Sequence, residues 1–563
     1  MMKKMTKYLS CLLALLLLLS FVTSCKPSKD AAKVTDAVGT TAETPVEENP
    51  KSYAAFGREY TLSDADREAL SKALEETLTL MQNNAEEALI DEKVEQIEEL
   101  FYHIADQADL AYVLFCMDQE DETASDNYLY ASEMKNDVFY DYMVMCQKVD
   151  ASSYAYRARF FEDWSENDFL QMRQYTDEVS AINKANDEIL VKYRALDPEG
   201  DDFEKEVGRL YVEMVKNNQK LAEMFGFSDY ASYAYEVVYQ RDYSREELAA
   251  LRKYVKDYLL MLCKQAGDAF LEGYQALSLV DQIQLGGWLQ GDYSSLSGDP
   301  VGGYLASLPT SMRDSMAQVL QSEHSVFTND QKSYAGAFTG YFYEDSYPFC
   351  YFGPRYQSVF TVIHEAGHFY AADCQGGLDI DLDLAELHSQ GNEWLMMEYS
   401  KKQMSDALYD VLLAYQFYES VSTIVISTMV DEFEEMVYTN AAALDGSVEQ
   451  LDKFMAEICV RYGGKSFIEE YMTDVSSYWK YVVIESPVYY ISYAVSGISA
   501  MSFYGQVASN YNAALETYQA FTAGELIEDA FLENLKNAGV SSPFEEKAYT
   551  DIAVAWATRN RSK

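Results

Sequence analysis

The chain has 563 residues, 48% of them hydrophobic and 14% aromatic, and carries a formal net charge of −49. It can therefore bury a large core, and its length suits two or three domains or one large helical fold. The acidic balance argues against nucleic acid or anionic lipid as partners. It fits either a well-solvated surface or a bias toward cationic peptides.

The first 24 residues are typical of a secretory signal peptide. Lysines precede the apolar run Leu9–Leu19, and Val22-Thr23-Ser24-Cys25 follows it. The apolar run is short for a membrane-spanning helix. The end of this segment resembles a bacterial lipobox, which implies that Cys25 becomes the acylated first residue of a lipoprotein held outside the cell membrane. An ordinary signal peptide or an uncleaved anchor are the alternatives. Residues 25–52, rich in Pro, Thr, Ala, Glu and Lys, predict a disordered tether.

Residues 53–330 predict an N-terminal helical domain. After Thr61-Leu62-Ser63-Asp64, the apolar residues Leu70, Leu74, Leu78 and Met81 recur at helical spacing. Similar patterns predict further helices over Leu100–Met117, Tyr128–Val149, Ala181–Leu196 and Glu204–Phe225. The segment from Gly286-Gly287 to Gly303, with Ser and Asp between, predicts a loop.

Residues 331–563 predict a second domain that begins with strands. Aromatic residues crowd Lys332–Gly353 and are punctuated by glycine and proline, which is strand composition. From Tyr356 onward the pattern is helical again. Ser358–Ile363 predicts the first turns of a mostly buried helix, which Gly376-Gly377 would end.

The run His364-Glu365-Ala366-Gly367-His368 lies inside that predicted helix. Positions i and i+4 share one helix face, so both imidazoles can bind one metal ion, and Glu365 can act as the general base. This is the zinc-metallopeptidase motif, and the chain has only 5 histidines. The preceding strands are then either a structural hairpin or an exposed edge that pairs with an extended peptide.

A catalytic zinc ion usually takes a third protein ligand and leaves one position open. The candidate segment runs from Ala385 to Glu393. Glu386 and Glu393 are seven residues apart and face one side of a helix, so one can bind the metal while the other hydrogen-bonds to a ligand or to substrate. His388 is a rival ligand on another face of the helix.

These residues resemble the oligoendopeptidase F and thimet oligopeptidase family, peptidase family M3. The likeness comprises the His-Glu-x-x-His run, Glu386, Ser389-Gln390 and Glu393, and it extends over roughly Asp202 to the C-terminus. It implies one zinc ion on His364, His368 and Glu386, Glu365 as general base, and Glu393 supporting a ligand. It also implies a large, mostly α fold with a deep substrate channel and a small β-sheet beside the zinc-binding helix. Gly336-Ala337-Phe338 resembles the family's substrate-edge strand.

The segment Tyr489–Gly497 resembles the family's transition-state region. The resemblance places Tyr493 at the catalytic tyrosine, with Tyr490 one turn before it; a phenol is a suitable oxyanion donor. The chain departs from the family because no histidine follows His388, and Tyr481 or Val483 occupies that neighbourhood.

The sequence thus predicts a zinc-dependent metalloendopeptidase of short unfolded peptides, with residues 331–563 as the catalytic domain. One alternative is a carboxydipeptidase of the angiotensin-converting type, which shares the run from Tyr490 to Ser496. The other is a peptide-binding lipoprotein of the same fold with weak turnover.

Overall fold

A computed structural model of the chain describes residues 53–194, 196–197, 200, 202–378, 381–444, 446–472, 475–523 and 531–559. The predicted signal peptide, Cys25 and the predicted tether lie outside the described residues. Among the described helices, none combines the length and the apolar character that crossing a membrane requires.

Helices dominate the described residues, which confirms the predicted mostly α class. The α-helices are α1 (Asp64–Gln82), α2 (Glu87–Met117), α3 (Glu122–Asp150), α4 (Arg157–Phe160), α5 (Glu166–Met172), α6 (Asp177–Arg194), α7 (Phe203–Met224), α8 (Tyr230–Tyr233), α9 (Arg245–Tyr254), α10 (Leu260–Ala276), α11 (Leu279–Gln290), α12 (Pro300–Ser307), α13 (Thr310–Met316), α14 (Val359–Gln375), α15 (Leu382–Ser400), α16 (Asp406–Thr439), α17 (Val448–Arg461), α18 (Gly464–Tyr471), α19 (Val475–Val482), α20 (Ile491–Ser509), α21 (Tyr511–Thr522), α22 (Phe531–Ala538) and α23 (Glu546–Thr558). Short π-helical turns cover Ala234–Val238 and Val255–Leu259, and 3₁₀ turns cover Tyr293–Ser295, Ala317–Leu320 and Ala441–Ala443.

The predicted loop from Gly286 to Gly303 is wrong at both of its ends. Gly286 and Gly287 lie inside α11, and Gly303 lies inside α12. In α11 the buried side chains of Leu285 and Trp288 pack the helix against the core. Tertiary packing of this kind outweighs the roughly 1 kcal/mol that each glycine costs a helix.

The strands form two small sheets. A hairpin pairs β1 (Ala54–Ala55) with β2 (Arg58–Glu59), and a three-stranded sheet has the order β3 (Ser325–Phe327), β5 (Tyr347–Phe352), β4 (Ala337–Phe342). Strand β4 runs antiparallel to β5, and β3 runs parallel to it. Strand β4 is therefore an edge of this sheet, within the predicted strand region.

The three-stranded sheet lies between α2 and α14. Buried residues of α2 share a hydrophobic cluster with Phe342, Phe349 and Tyr351 of the sheet. The main core extends from Ile189 to Trp556, and a separate cluster joins the helices between Leu62 and Met172. The main core thus has members on both sides of residue 330, and the functional division at that residue stays a prediction.

Candidate metal centre

The helix α14 carries the His-Glu-x-x-His run, and its ends follow local chemistry. The side chain of Ser358 caps the N-terminus by accepting the backbone N–H of Thr361. Gly376 ends the helix in the left-handed conformation, at φ 71°, which glycine adopts without steric cost. Both ends agree with the prediction from the sequence.

Gly367 lets α15 approach α14 closely. A Cβ atom built on Gly367 would lie 2.7 Å from the carbonyl oxygen of His388 and 2.8 Å from the Cα of Ser389. Only a hydrogen fits between these backbones, so the glycine sets the distance between the helix that carries the two histidines and the helix that carries Glu386. The side-chain amide of Asn392 donates to the carbonyl of Ile363 at 2.7 Å and ties the same two helices together.

One donor atom each from His364, His368 and Glu386 lies within 4.8 Å of the others. The imidazole Nε2 of His364 and the carboxylate Oε2 of Glu386 are 3.7 Å apart. Ligands at about 2.1 Å from a tetrahedral zinc ion lie about 3.4 Å apart, so the donor set and its spacing fit such an ion. The structure therefore brings together the three predicted ligands.

Glu393 orients His364, because its Oε1 accepts the Nδ1–H of that imidazole at 2.7 Å. The other carboxylate oxygen accepts from the side-chain amide of Gln416 on α16 at 2.9 Å. Holding the proton on Nδ1 leaves Nε2 free to act as a ligand. Burial lowers the pKa of His364, but the hydrogen bond to Glu393 and the surrounding carboxylates outweigh burial and raise the pKa to about 9. The negative charge around His364 also favours a bound cation.

Glu365 is buried, at 5% exposure, and is held by a threonine on the edge strand. The hydroxyl of Thr339 lies 2.7 Å from Oε2 of Glu365 and donates to it. Burial raises the pKa of Glu365 to about 7, although His364 and the Thr339 hydroxyl oppose the shift. A carboxylate whose pKa is near neutrality suits general base chemistry. Thr339 was not identified from the sequence, where only its place in an aromatic strand could have pointed to it.

A cavity of about 500 Å³ opens onto this cluster. Its lining includes His364, Glu365, His368, Glu386, Glu393 and the predicted edge residues Gly336, Ala337 and Phe338. Asp109 and Tyr112 of α2 also line the cavity. The cavity thus brings the candidate metal ligands, the candidate base and the edge strand together.

Tyr493 also lines the cavity, but its companion there is Tyr489 rather than the predicted Tyr490. The rings of Tyr489 and Tyr493 are 5.2 Å apart, and those of Tyr490 and Tyr493 are 5.6 Å apart. Burial and the charge of Glu386 raise the pKa of Tyr489, while a hydrogen bond with Tyr493 opposes the shift. Tyr489 was missed by the sequence analysis, although it stands in the same Tyr-Tyr pair.

His388, the rival ligand, is fully buried and lines the same cavity, but it is not part of the group of three donor atoms. Its Nε2 lies 3.0 Å from the carbonyl of Phe521 and donates to it. In the neighbourhood of the missing family histidine, Val483 is fully buried and Tyr481 is 38% exposed.

No protein-family model matches the chain, and no curated protein matches it in sequence. Solved structures do match it. PZ peptidase A with an inhibitor has a TM-score of 0.66 and 17% identity, over 89% of this chain and 98% of that one. A candidate oligoendopeptidase F from Bacillus anthracis strain Ames has a TM-score of 0.65 and 16% identity, over 91% and 99%. Oligoendopeptidase F from Enterococcus faecium has a TM-score of 0.52 and 14% identity, over 89% and 98%. The chain therefore has the large helical fold of these peptidases, as the resemblance in sequence implied.

Proposed function

We propose that this chain is a zinc-dependent metalloendopeptidase that hydrolyses short unfolded peptides. The observation that carries the proposal is the group of His364, His368 and Glu386 donor atoms within 4.8 Å of one another. That group lines one cavity with Glu365 and the edge of β4. The shared fold with oligoendopeptidase structures supports the same conclusion.

His364, His368 and Glu386 would hold the ion. Bound there, Zn²⁺ would polarise the scissile carbonyl and make water more acidic. Glu365 accepts a proton from the attacking water and passes it to the leaving amine. Thr339 holds the Glu365 carboxylate on the side that faces the cavity, and Glu393 keeps His364 in the tautomer that can act as a ligand.

Strand β4 orients the peptide. Its backbone pairs with β5 on one side, while Gly336–Phe338 line the cavity. An extended peptide can add to such an edge by main-chain hydrogen bonds. These bonds do not depend on the side chains, so unfolded peptides of different sequences can bind. Tyr493, assisted by Tyr489, donates a hydrogen bond to the oxyanion that develops on the scissile carbonyl.

The test combines metal content with hydrolysis of a quenched fluorescent peptide library. We expect about one zinc ion per chain, loss of hydrolysis on chelation and recovery with Zn²⁺. Glu365→Gln should lower kcat by about 10⁴-fold without loss of zinc, because the ligands are intact. Glu457→Gln, on the exposed side of α17, is the matched control and should cleave like the parent.

Two outcomes would contradict the proposal. Cleavage by Glu365→Gln at the parent rate would remove the general base from the mechanism. Release of C-terminal dipeptides alone, detected by mass spectrometry of the products, would favour the carboxydipeptidase alternative over an endopeptidase.

We further propose that the mature protein is a bacterial lipoprotein anchored outside the cell membrane through Cys25. The support is the leader of residues 1–24 and the small residues before Cys25. Cys25→Ala should release the protein from the membrane fraction. Continued sedimentation of this variant with membranes would contradict the anchor.

A further inference from the structure

Val488, immediately before Tyr489, has a backbone conformation that its side chain disfavours. Its φ is +62°, and it is a β-branched residue with 2% exposure. A β-branched residue at positive φ is a true outlier that persists only where surrounding contacts enforce it. The outlier lies in the segment Pro487–Tyr490, between α19 and the start of α20 at Ile491.

Arg241 contacts the Pro487–Tyr490 segment and the start of α20. Its guanidinium donates to the carbonyl of Val488 at 2.9 Å, to the carbonyl of Tyr489 at 3.2 Å and to the hydroxyl of Ser492 at 3.0 Å. The guanidinium also lies over two rings, with centroids 4.8 Å away for Tyr235 and 4.3 Å away for Tyr239. A planar donor fixed in this way holds several acceptors in one geometry.

Glu434 and Tyr239 bind the preceding peptide unit, between Pro487 and Val488. The Val488 N–H donates to Oε1 of Glu434 at 2.9 Å, and the Tyr239 hydroxyl donates to the carbonyl of Pro487 at 2.7 Å. Glu434 is fully buried in α16. Burial raises the pKa of Glu434 well above its usual value, and the hydrogen bond from the Val488 N–H opposes this shift because it stabilises the charged form.

The charge on Arg241 also reaches the helix that carries Glu386. Asp383, in the first turn of α15, is buried at 2% exposure, and its charge contributes to raising the pKa of Arg241, against the opposing effect of burial.

We propose that Arg241 and Glu434 are positioning residues that hold Val488 left-handed and so aim the hydroxyls of Tyr489 and Tyr493 into the cavity. Both tyrosines line it, one on each side of the start of α20. Neither Arg241 nor Glu434 lines the cavity among the described residues, so both act through the tyrosines. This inference rests on the proposed function, in which the two hydroxyls stabilise the oxyanion.

A double-mutant cycle tests the inference. Arg241→Lys keeps the charge but cannot make all three contacts, and it should lower kcat by about tenfold or more with little change in KM and no loss of zinc. In the Tyr489→Phe/Tyr493→Phe background the same change should lower kcat by less than about twofold, because the groups it positions are gone.

Arg252→Lys is the matched control. Arg252 is a partly buried arginine, with a side chain 12% exposed, that contacts Asp431 and Glu435 rather than the Pro487–Tyr490 segment. It should lower the melting temperature without changing kcat. An equal loss of kcat from Arg241→Lys in both backgrounds, or a loss of melting temperature alone, would overturn the inference.

Milder variants cover the case in which Arg241→Lys does not fold. We call Arg241, Glu434, Tyr239 and Ser492, with their hydrogen bonds around Val488, the clamp. Tyr239→Phe and Ser492→Ala each remove one hydrogen bond of the clamp and should lower kcat severalfold. Unchanged kcat in both would overturn the proposal.

A spectroscopic readout separates this inference from the proposed function. Fluorotyrosine incorporated at position 493 should change its ¹⁹F shift with Arg241→Lys and with Ser492→Ala but not with Arg252→Lys. If the parent cleaves no peptide, the proposed function fails while the fluorine signal still tests the clamp. An unchanged signal in an active parent overturns the clamp alone.

Discussion

Two groups of residues that line the cavity are built differently, and we call them the motif wall and the aromatic wall. The motif wall comprises His364, Glu365, His368, Glu386, Glu393, Tyr489 and Tyr493. The aromatic wall comprises Asp109, Tyr112, Phe338 and Phe349. On the motif wall polar groups bond to one another, as His364 does to Glu393. On the aromatic wall rings pack, with Phe338 5.2 Å from Tyr112, and the one charge, Asp109, is paired with Lys135 at 2.9 Å.

This difference indicates a division of labour between the walls. The motif wall concentrates groups that can move protons or bind a cation, so substitutions there should lower kcat. The aromatic wall offers shape and apolar area, so substitutions there should raise KM or lower the free energy of unfolding. Substitutions on each wall test that division.

Removing Lys135 should damage the aromatic wall through stability. Lys135 and Asp109 have side chains only 2% and 8% exposed, so Lys135→Met leaves a buried, uncompensated carboxylate. We expect the free energy of unfolding to fall by about 3–5 kcal/mol, read as a lower denaturant midpoint. Lys135→Met/Asp109→Leu should recover most of the loss. If the single variant folds normally but loses kcat, the ion pair belongs to the chemistry and the comparison fails.

Tyr493→Phe should be the next largest effect and should appear in kcat. Loss of one oxyanion donor lowers kcat by about 10²-fold, with KM nearly unchanged. Tyr490→Phe is the natural comparison, because Tyr490 is absent from the cavity lining within the described residues. Steady-state kinetics giving equal losses for the two variants would place both phenols in the chemistry.

Gly367→Ala should separate the helices of the motif wall. The new methyl group would meet the backbone of α15 at 2.7 Å, and overpacking of this kind destabilises by about 1–3 kcal/mol. We expect weaker zinc retention against a chelator, because Glu386 moves away from the histidines. Gly286→Ala, also in a helix but facing open space, should leave zinc binding unchanged. Normal zinc retention in Gly367→Ala would show that the helix spacing does not set the site.

Phe338→Ala should have the smallest effect and should appear in KM. The variant removes a ring stacked on Tyr351, at 5.1 Å, and leaves every group of the motif wall in place. We expect KM for a peptide substrate to rise by several-fold, which corresponds to about 1 kcal/mol of lost contact. A fold decrease in kcat that exceeds the fold increase in KM would contradict the division between the walls.

Local geometry related some residues of the motif wall in the sequence, whereas the choice of Glu386 over His388 and of Tyr493 came from the resemblance to a family. Helical periodicity alone relates His364 to His368 and Glu386 to Glu393. The sequence pointed to Tyr490 beside Tyr493, whereas Tyr489 lines the cavity. Counting back one turn from Tyr493 assumes that the helix extends to Tyr490, but the helix begins only at Ile491. The left-handed Val488 intervenes, and nothing in a Pro-Val-Tyr-Tyr run signals it.

The rest depended on contacts between residues far apart in the chain. Arg241 meets Val488 across 247 positions, and Lys135 meets Asp109 from another helix. Neither pair has a spacing that could reveal it. The prediction of a loop at Gly286-Gly287 was wrong for the same reason. Burial of Trp288 outweighs the low helix propensity of glycine.

The position of β4 has a consequence for how copies of this protein can associate. A strand with a vacant edge is a template for aggregation when other chains can reach it. Here Gly336–Phe338 line the cavity, so a second copy can reach this part of the edge only by entering that cavity. Placing the edge inside a cavity thus limits edge-to-edge pairing between copies.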